Sequence, residues 1–441
     1  MKGVYGQQND LWCLPEHRSF FYVYNNRDFL LSKSGPDETI SYTYNHDGSR
    51  SSMVDRGTQI TSYTYHQFSG QLTGVTYPDG KTLAYTYDNR GNRASMTTPF
   101  GDLAEYEYDV VNQLSSVKWK EAPVASFNYL GNGQLETKNA GYNLLTQTYS
   151  YTDGRLTGLE HLQGVNVVRN YTYDYDKNAN ITAINEYNFR PNSLTSSETF
   201  AYDNLNRIST ASLLDETYTY DNRGNRQTIM TDAEMDLSDV SYEYDAWDRL
   251  TKVTREGQVV EYAYNGDNLM VERKHNGVTT RYYYDGDQII AEGTVGGNGN
   301  VAEVATYIRS GTELILRDDA YENKGYYLHN GHGDVTEMLA INGQVLNQYE
   351  YDIWGKPLRI QAPMDNPFLY SGEYWDDTTQ LQYLRARWYD PSVGRFINED
   401  TYEGELNNPL SQNLYTYVHN NPVFCFLRGE LKNVGISSKS A

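Results

Sequence analysis

Long apolar runs are missing from this chain. None of its 441 residues falls in a stretch approaching the ~20 apolar residues that a membrane-spanning helix needs. The opening MKGVYGQQNDLWCLPEHRSFFYVY has no apolar segment of the kind a secretory leader carries. Cysteine is almost absent. Cys13 and Cys425 stand at opposite ends, a spacing that builds neither a disulfide framework nor a zinc site, although export remains compatible with so few. Basic residues are outnumbered, 36 against 58, for a formal charge of −22. That balance argues against a phosphate-binding footprint and for a soluble, self-repelling surface. Phe and Pro are sparse, at 12 each, and the aliphatic content is modest, so a conventional Leu/Val/Ile core is not expected. What is plentiful is Tyr, 43 residues, and Gly, 36. Tyrosine must then supply much of the buried area, with its hydroxyl reaching water or a partner.

The tyrosines are ordered. YTYDNRGNR occupies Tyr85–Arg93 and recurs letter for letter at Tyr218–Arg226, with looser copies such as YTYNHDGSR from Tyr42, YEYDVVNQL from Tyr106, FAYDNLNRI from Phe200 and YEYDAWDRL from Tyr242. First aromatics at Tyr22, Tyr42, Tyr63, Tyr85, Tyr106, Phe127, Tyr149 and Tyr171 are 20 to 22 residues apart, and the series resumes at Phe200, Tyr218, Tyr242, Tyr262 and Tyr282. Self-similarity at a fixed period signals a repeat architecture. Apolar residues at three- and four-residue spacing, the mark of helical repeats, are absent.

Each unit reads as strand, turn, strand. The two Tyr of YTYD are two apart and share one face of a strand. The Asn/Asp/Gly cluster that follows reverses the chain, because those residues tolerate positive φ. The return segments, QLTGVTY (Gln71–Tyr77) and RLTKVT (Arg249–Thr254), place Leu and Val three apart, on opposite faces of a regular strand. A bulge or a twist would reconcile them. One hairpin is marginal alone; stacked hairpins pair edge to edge into a long, twisting sheet whose ends need caps.

The pattern YxYDxxGR at about 21 residues resembles the YD repeat of Rhs proteins, found also in the BC component of Tc toxins, in bacterial wall-associated toxins and in teneurins. The likeness covers roughly Tyr22–Tyr284. YLHNGHGDVTEML (Tyr327–Leu339), YEYDIWGKP (Tyr349–Pro357), the segment Asn366–Asp400 and NLYTYVHNNPV (Asn413–Val423) look like the Rhs repeat-associated core. The resemblance implies an all-β sheet spiral, wound as a partial hollow shell and closed by a C-terminal core plug. It also implies an aspartic autoprotease that frees a C-terminal toxin held inside. The expected organisation is an N-terminal stub (1–20), a YD-repeat array (21–295), the core (301–423) and a variable tail (424–441). Its structural repeat residues are Tyr85, Tyr87, Asp88 and Gly91, and in the second exact copy Tyr218, Tyr220, Asp221 and Gly224.

The chain departs from that family near its end. After NNPV the text is FCFLRGELKNVGISSKSA, without the family's Asp-Pro junction, and no toxin domain fits the residues that follow Pro422. Two carboxylates able to share a proton would carry aspartic chemistry. By resemblance these are Asp390 and Asp400, with Arg387 or Arg395 as charge partners; Thr401 stands where the family has Pro. The plainer reading makes both aspartates turn and cap residues.

Other candidates read as structure. His329, His332 and Asp334 suggest metal ligands, but Gly331 and Gly333 argue for a loop. The Asp-rich turns Tyr173–Ile181 and Tyr264–Met270 lack the bidentate Glu of a calcium loop. Trp119, Trp247, Trp354, Trp375 and Trp388 could stack on sugars or pack between repeats. GGNGN (Gly296–Asn300) reads as a linker and Asn185–Glu198 as a longer loop. No cofactor, metal or nucleic acid is expected. The expected partners are a C-terminal toxin cargo, the rest of a longer Rhs protein from which this chain looks like the tail, or a cell-surface glycan. The first reading is therefore a secreted or cell-surface shell fragment of a polymorphic toxin, cargo-less and without enzymatic activity of its own. The second is a secreted or cell-surface adhesion module.

Overall fold

The computed structural model describes residues 19–141, 145–190, 196–213, 216–220, 226–230, 240–398, 400 and 414–422. Among these the chain is β throughout, apart from 3-10 turns at Tyr370–Gly372 and Val418–Asn420. It divides into two compact units. One comprises the described residues within 19–105 and 240–306; the other comprises those within 106–230 and 307–422.

In the first unit, strands from Phe21–Tyr24 to Arg93–Thr97 each pair antiparallel with the next. A second run from Val240–Tyr244 to Gln288–Val295 does the same. In the second unit a meander runs from Leu114–Trp119 to Ile181–Asn188 and on through Ser196–Tyr202. It is faced by the hairpins built from Glu313–Asp319 to Pro357–Gln361. A four-stranded sheet from Tyr374–Asp376 to Arg395–Phe396 completes that unit.

The predicted bulge is present, and it recurs with the repeat. Tyr63 opposes Val75 and Thr64 opposes Gly74, but Tyr65 opposes Leu72, so Thr73 is the extra residue. The same slip falls just before the second aromatic at Thr86/Tyr87, Asn128/Tyr129, Ser150/Tyr151, Asp174/Tyr175 and Ala263/Tyr264. One added residue restores Leu and Val to the face that carries both tyrosines.

Three expectations change in detail. Gly296–Asn300 is the tight turn of a hairpin rather than a spacer: Gly296 N donates to Asn300 O at 2.8 Å, and Val295 pairs with Val301. The loop expected at 185–198 is shorter, since one strand runs to Asn188 and another begins at Ser196. His329 is not in a loop; it ends the strand Lys324–His329 and is buried.

Candidate functional site

The repeat signature is explained by its own hydrogen bonds. At the turn of Tyr85–Arg93, Asp88 Oδ1 accepts the N–H groups of Arg90 (2.8 Å) and Asn92 (2.9 Å), while Oδ2 accepts the Asn92 amide at 3.0 Å. The Asn92 amide holds the Asp88 carboxyl below its usual range. Gly91 closes the turn at φ +87°, a left-handed conformation that glycine adopts freely. The same pair of bonds, to residues two and four ahead, forms at Asp109, Asp176, Asp203, Asp245 and Asn265. The Asp-rich segments flagged in the sequence are therefore self-capped turns.

The second tyrosine ties neighbouring hairpins. Tyr87 Oη donates to Leu72 O at 2.6 Å, Tyr129 to Leu114 O at 2.9 Å, Tyr175 to Leu156 O at 2.7 Å and Tyr264 to Leu250 O at 2.7 Å. Each acceptor is the first residue of the return strand of the preceding repeat, or at Leu156 the second. The first tyrosine and the Arg reach the facing run of the same unit. Tyr85 Oη donates to Asp285 Oδ1 at 2.8 Å and Arg93 Nη2 to the same oxygen at 3.0 Å, with the guanidinium over the Tyr85 ring. Tyr42 and Arg50 repeat this against Gly266 O (3.0 Å) and Asp267 (2.7 Å). In the second exact copy, Asp221 and Gly224 lie outside the described residues, and Tyr218 and Tyr220 lie on the strand Glu216–Tyr220.

The second unit carries a feature that the sequence reading missed. Strand register sets Lys138 beside Gln147, Gln147 beside His161, and His161 beside Arg169. All four side chains are buried, none more than 3% exposed. Lys138 Nζ meets Glu313 Oε1 at 2.5 Å, and His329 Nδ1 lies 3.4 Å from the same oxygen. Burial alone would raise the Glu313 carboxyl; Lys138 and His329 outweigh it and hold it well below the usual range. Arg169 binds Glu186 at 2.5 Å, and Arg190 binds Glu337, which is fully buried, at 3.0 Å. A signal for this row exists in the sequence. Met53, Val75, Met96, Val117, Lys138 and Leu159 occupy one repeat position, all buried, and only Lys138 breaks the apolar series.

The core gathers around Tyr370. Its hydroxyl lies 3.1 Å from Ile353 O and 3.3 Å from Pro422 O, and Gln382 Nε2 donates to its carbonyl at 2.7 Å. His332 packs on its ring at 4.9 Å and binds Asp334 at 2.7 Å. Burial works to raise Asp334, but His332, the Ser371 N–H and the Asn330 amide more than offset it, so its carboxyl sits below the usual range. Asn421 Nδ2 donates to Asn180 Oδ1 at 3.1 Å. Asn420, Asn421 and Pro422 are thereby buried against a cluster that includes Tyr171, Tyr173, Trp354, Tyr389 and Tyr417.

The aspartates expected to carry proteolysis have separate partners. Asp390 Oδ1 accepts the Ser392 N–H (2.9 Å) and hydroxyl (2.6 Å), which is a turn cap. Asp400 pairs with Arg387 at 2.7 Å, and Arg387 also lies over the Phe396 ring and donates to Leu414 O. Arg395 opposes Asp390 across a strand pair. Thr401 lies outside the described residues. Trp119, Trp354 and Trp388 are buried, with Trp119 Nε1 donating to Asp318 at 2.7 Å, while Trp247 and Trp375 are half-buried. Among the described residues no group of three or more His, Cys, Asp or Glu could hold a metal ion, and no helix is long and apolar enough to cross a membrane.

The Teneurin YD-shell family model matches residues 126–423, and the RHS Repeat model matches residues 69–103. The tRNA nuclease WapA of Bacillus subtilis is 28% identical over 420 residues, covering 91% of this chain and 15% of that protein. The tRNA3(Ser)-specific nuclease WapA of Bacillus spizizenii is 31% identical over 215 residues, 47% of this chain and 9% of its own. Among solved structures, the Photorhabdus luminescens Tc holotoxin pore matches with a TM-score of 0.68 at 18% identity, over 92% of this chain and 28% of that one. TcdB2-TccC3 without its hypervariable C-terminal region matches at 0.65 and 17%, over 96% and 30%. The chain thus spans less than a third of each of these relatives. At such identities the structural likeness establishes the fold alone.

Proposed function

We propose that this chain, which belongs to the Teneurin YD-shell family, forms wall and core of an extracellular Rhs-type toxin shell. In this reading residues 21–295 are the wall and residues 301–423 the core that presents a C-terminal segment. The observation that supports it most is the seat of residues 420–422. Asn421 and Pro422 are held by Asn180 and Tyr370 at the buried cluster of the second unit, so the chain is anchored in the core up to Pro422. WapA, named as a tRNA nuclease, and the structurally similar Tc holotoxin pore, whose title names TccC3, fit a shell that serves a toxic C-terminal segment.

The role is passive in this chain. Asp390 is occupied in capping a turn and Asp400 in an ion pair, and the Asp-Pro junction is absent from the sequence after Pro422. Intact mass of the purified protein, followed over several days, tests this. Constant full-length mass is expected. A cut mapped near Val423–Gly429, abolished by Asp400→Asn or Asp390→Asn, would instead mean that a protease operates here. The adhesion alternative needs outward aromatic faces, and burial of Trp119, Trp354 and Trp388 weighs against it.

A further inference from the structure

His161 stands in a setting that fixes its charge. It is 1% exposed. Its Nε2 lies 2.9 Å from His329 O and 3.1 Å from Gln147 Nε2; the carbonyl oxygen only accepts and is the shorter contact, so we place the hydrogen on Nε2, with the Gln147 amide directed at the carbonyl rather than at the ring. Gln147 Nε2 donates to the same carbonyl at 3.2 Å. Nδ1 is buried with no hydrogen-bond partner. A proton added there would create a buried N–H with no acceptor, in a row whose next member is the Arg169 guanidinium and which ends at the Lys138 ammonium.

The groups facing His161 come from several strands. Lys138 lies on Leu135–Ala140 and Gln147 on Leu145–Thr152. Arg169 and Tyr171 lie on Asn166–Tyr175, the Tyr171 ring edge-on to the imidazole with centroids 5.6 Å apart. His329 ends Lys324–His329, Glu313 begins Glu313–Asp319 and Glu337 lies on Val335–Leu339. The carboxylates are already engaged. Glu313 holds Lys138, while Glu186 and Glu337 hold Arg169 and Arg190. Burial first, then Arg169 and Lys138, push the imidazole well below its ordinary range.

We propose that His161 is an acid-sensing residue, whose protonation releases the strand Lys324–His329 from the tyrosine-rich meander of the second unit. Protonation leaves the Nε2–H bond to His329 O intact; what forces the strand away is the buried Nδ1–H without an acceptor beside Arg169 and Lys138, and the contact to His329 O, which Gln147 shares, is given up only when the strand separates to let water reach Nδ1. The same strand leads into the turn carrying His332, whose ring packs on Tyr370, and Asp334, which accepts the Ser371 N–H, so release there loosens the seat of Pro422. This deepens the shell reading and rests on it: the acid-sensitive contact becomes the point at which the core gives way.

The sign follows from the burial. A histidine kept neutral by the fold stabilises it fully above the unfolded-state value of about 6.5, and that contribution is lost as pH falls below it. Opening of the second unit therefore becomes easier by up to tenfold per pH unit, or about 30-fold between pH 7 and pH 5.

Hydrogen exchange with mass spectrometry on the full chain, at pH 7 and pH 5 and corrected for intrinsic rates, reads this directly. Peptides covering Arg155–Gln163 and Lys324–Leu339 are expected to lose up to about 30-fold in protection in the wild type, and peptides from Gln59–Thr97 much less. His161→Gln, neutral at both pH values, is expected to abolish the difference. Equal pH dependence in wild type and variant, or none in the wild type, overturns the proposal. If the variant does not fold, NMR titration of the wild-type His161 Cε1 resonance decides. A transition near 6.5 in the folded state refutes the proposal; absence of titration down to pH 5 supports it when the Lys324–Leu339 amides still lose protection with falling pH, and overturns it when they do not. Neither readout involves a C-terminal effector, so failure here leaves the shell reading standing, and failure of that reading appears separately in the mass experiment.

Discussion

Replacing Tyr264 by Phe removes one oxygen and nothing else. Tyr264 is 5% exposed, and its hydroxyl donates to Leu250 O at 2.7 Å, joining two consecutive hairpins. A buried intramolecular hydrogen bond contributes about 0.5–1.5 kcal/mol net, and the ring stays in place, so the loss should be about 1 kcal/mol. Tyr24 holds the same position in its repeat, but it is 43% exposed and makes no such bond among the described residues. Tyr24→Phe should therefore be neutral within about 0.3 kcal/mol, as surface changes usually are. Repeat arrays open locally, so native-state hydrogen exchange suits the comparison better than a global melt. Peptides spanning Leu250–Tyr264 should open about fivefold more readily in Tyr264→Phe, the equivalent of about 1 kcal/mol. The reasoning fails if the two substitutions cost the same, or if Tyr264→Phe is neutral.

Other substitutions probe other parts of the account. Lys138→Met strands the Glu313 carboxylate and His329, and should destabilise the second unit by about 3 kcal/mol in urea titration; adding Glu313→Gln should restore most of the loss, and a null double-mutant cycle would contradict the pairing. Asp88→Ala removes three acceptor contacts from one turn, and should speed exchange measurably and only within Thr82–Thr97; unchanged exchange there would contradict the capping role. The strand Phe21–Tyr24 pairs, among the described residues, only with Leu30–Ser34, and leaves Phe21 50% and Val23 45% exposed. Sedimentation velocity should show concentration-dependent association, which Val23→Lys weakens; a monomer at all concentrations would count against it.

The sequence made the repeat legible because each turn and each tyrosine is a local event. Asp88 caps residues two and four ahead, and Gly91 supplies the positive φ, so short words in the text encode the hairpin. Even the bulge was readable, from the three-residue gap between Leu72 and Val75. The row Lys138–Gln147–His161–Arg169 was not. Its members are 9, 14 and 8 residues apart, intervals that no motif records, and only the register of three consecutive strand pairings aligns them. Proximity also misled where composition was the guide. GGNGN has linker composition, yet five residues suffice for the turn between paired strands. At the core, the likeness to Rhs proteins pointed to Asp390 and Asp400 as a pair. The local chemistry gives one of them to Ser392 and the other to Arg387, partners that depend on the turn Asp390–Ser392 and on the four-stranded sheet.

The central claim is that this fold holds a C-terminal segment away from its surroundings. The most direct measurement is the digestion rate of an unfolded passenger polypeptide appended after Ala441, followed by mass spectrometry under limiting protease and compared with the same passenger alone. Shell function predicts markedly slower digestion of the attached passenger, lost when Tyr370→Ala removes the seat of Pro422. Digestion at the rate of the free passenger would contradict it.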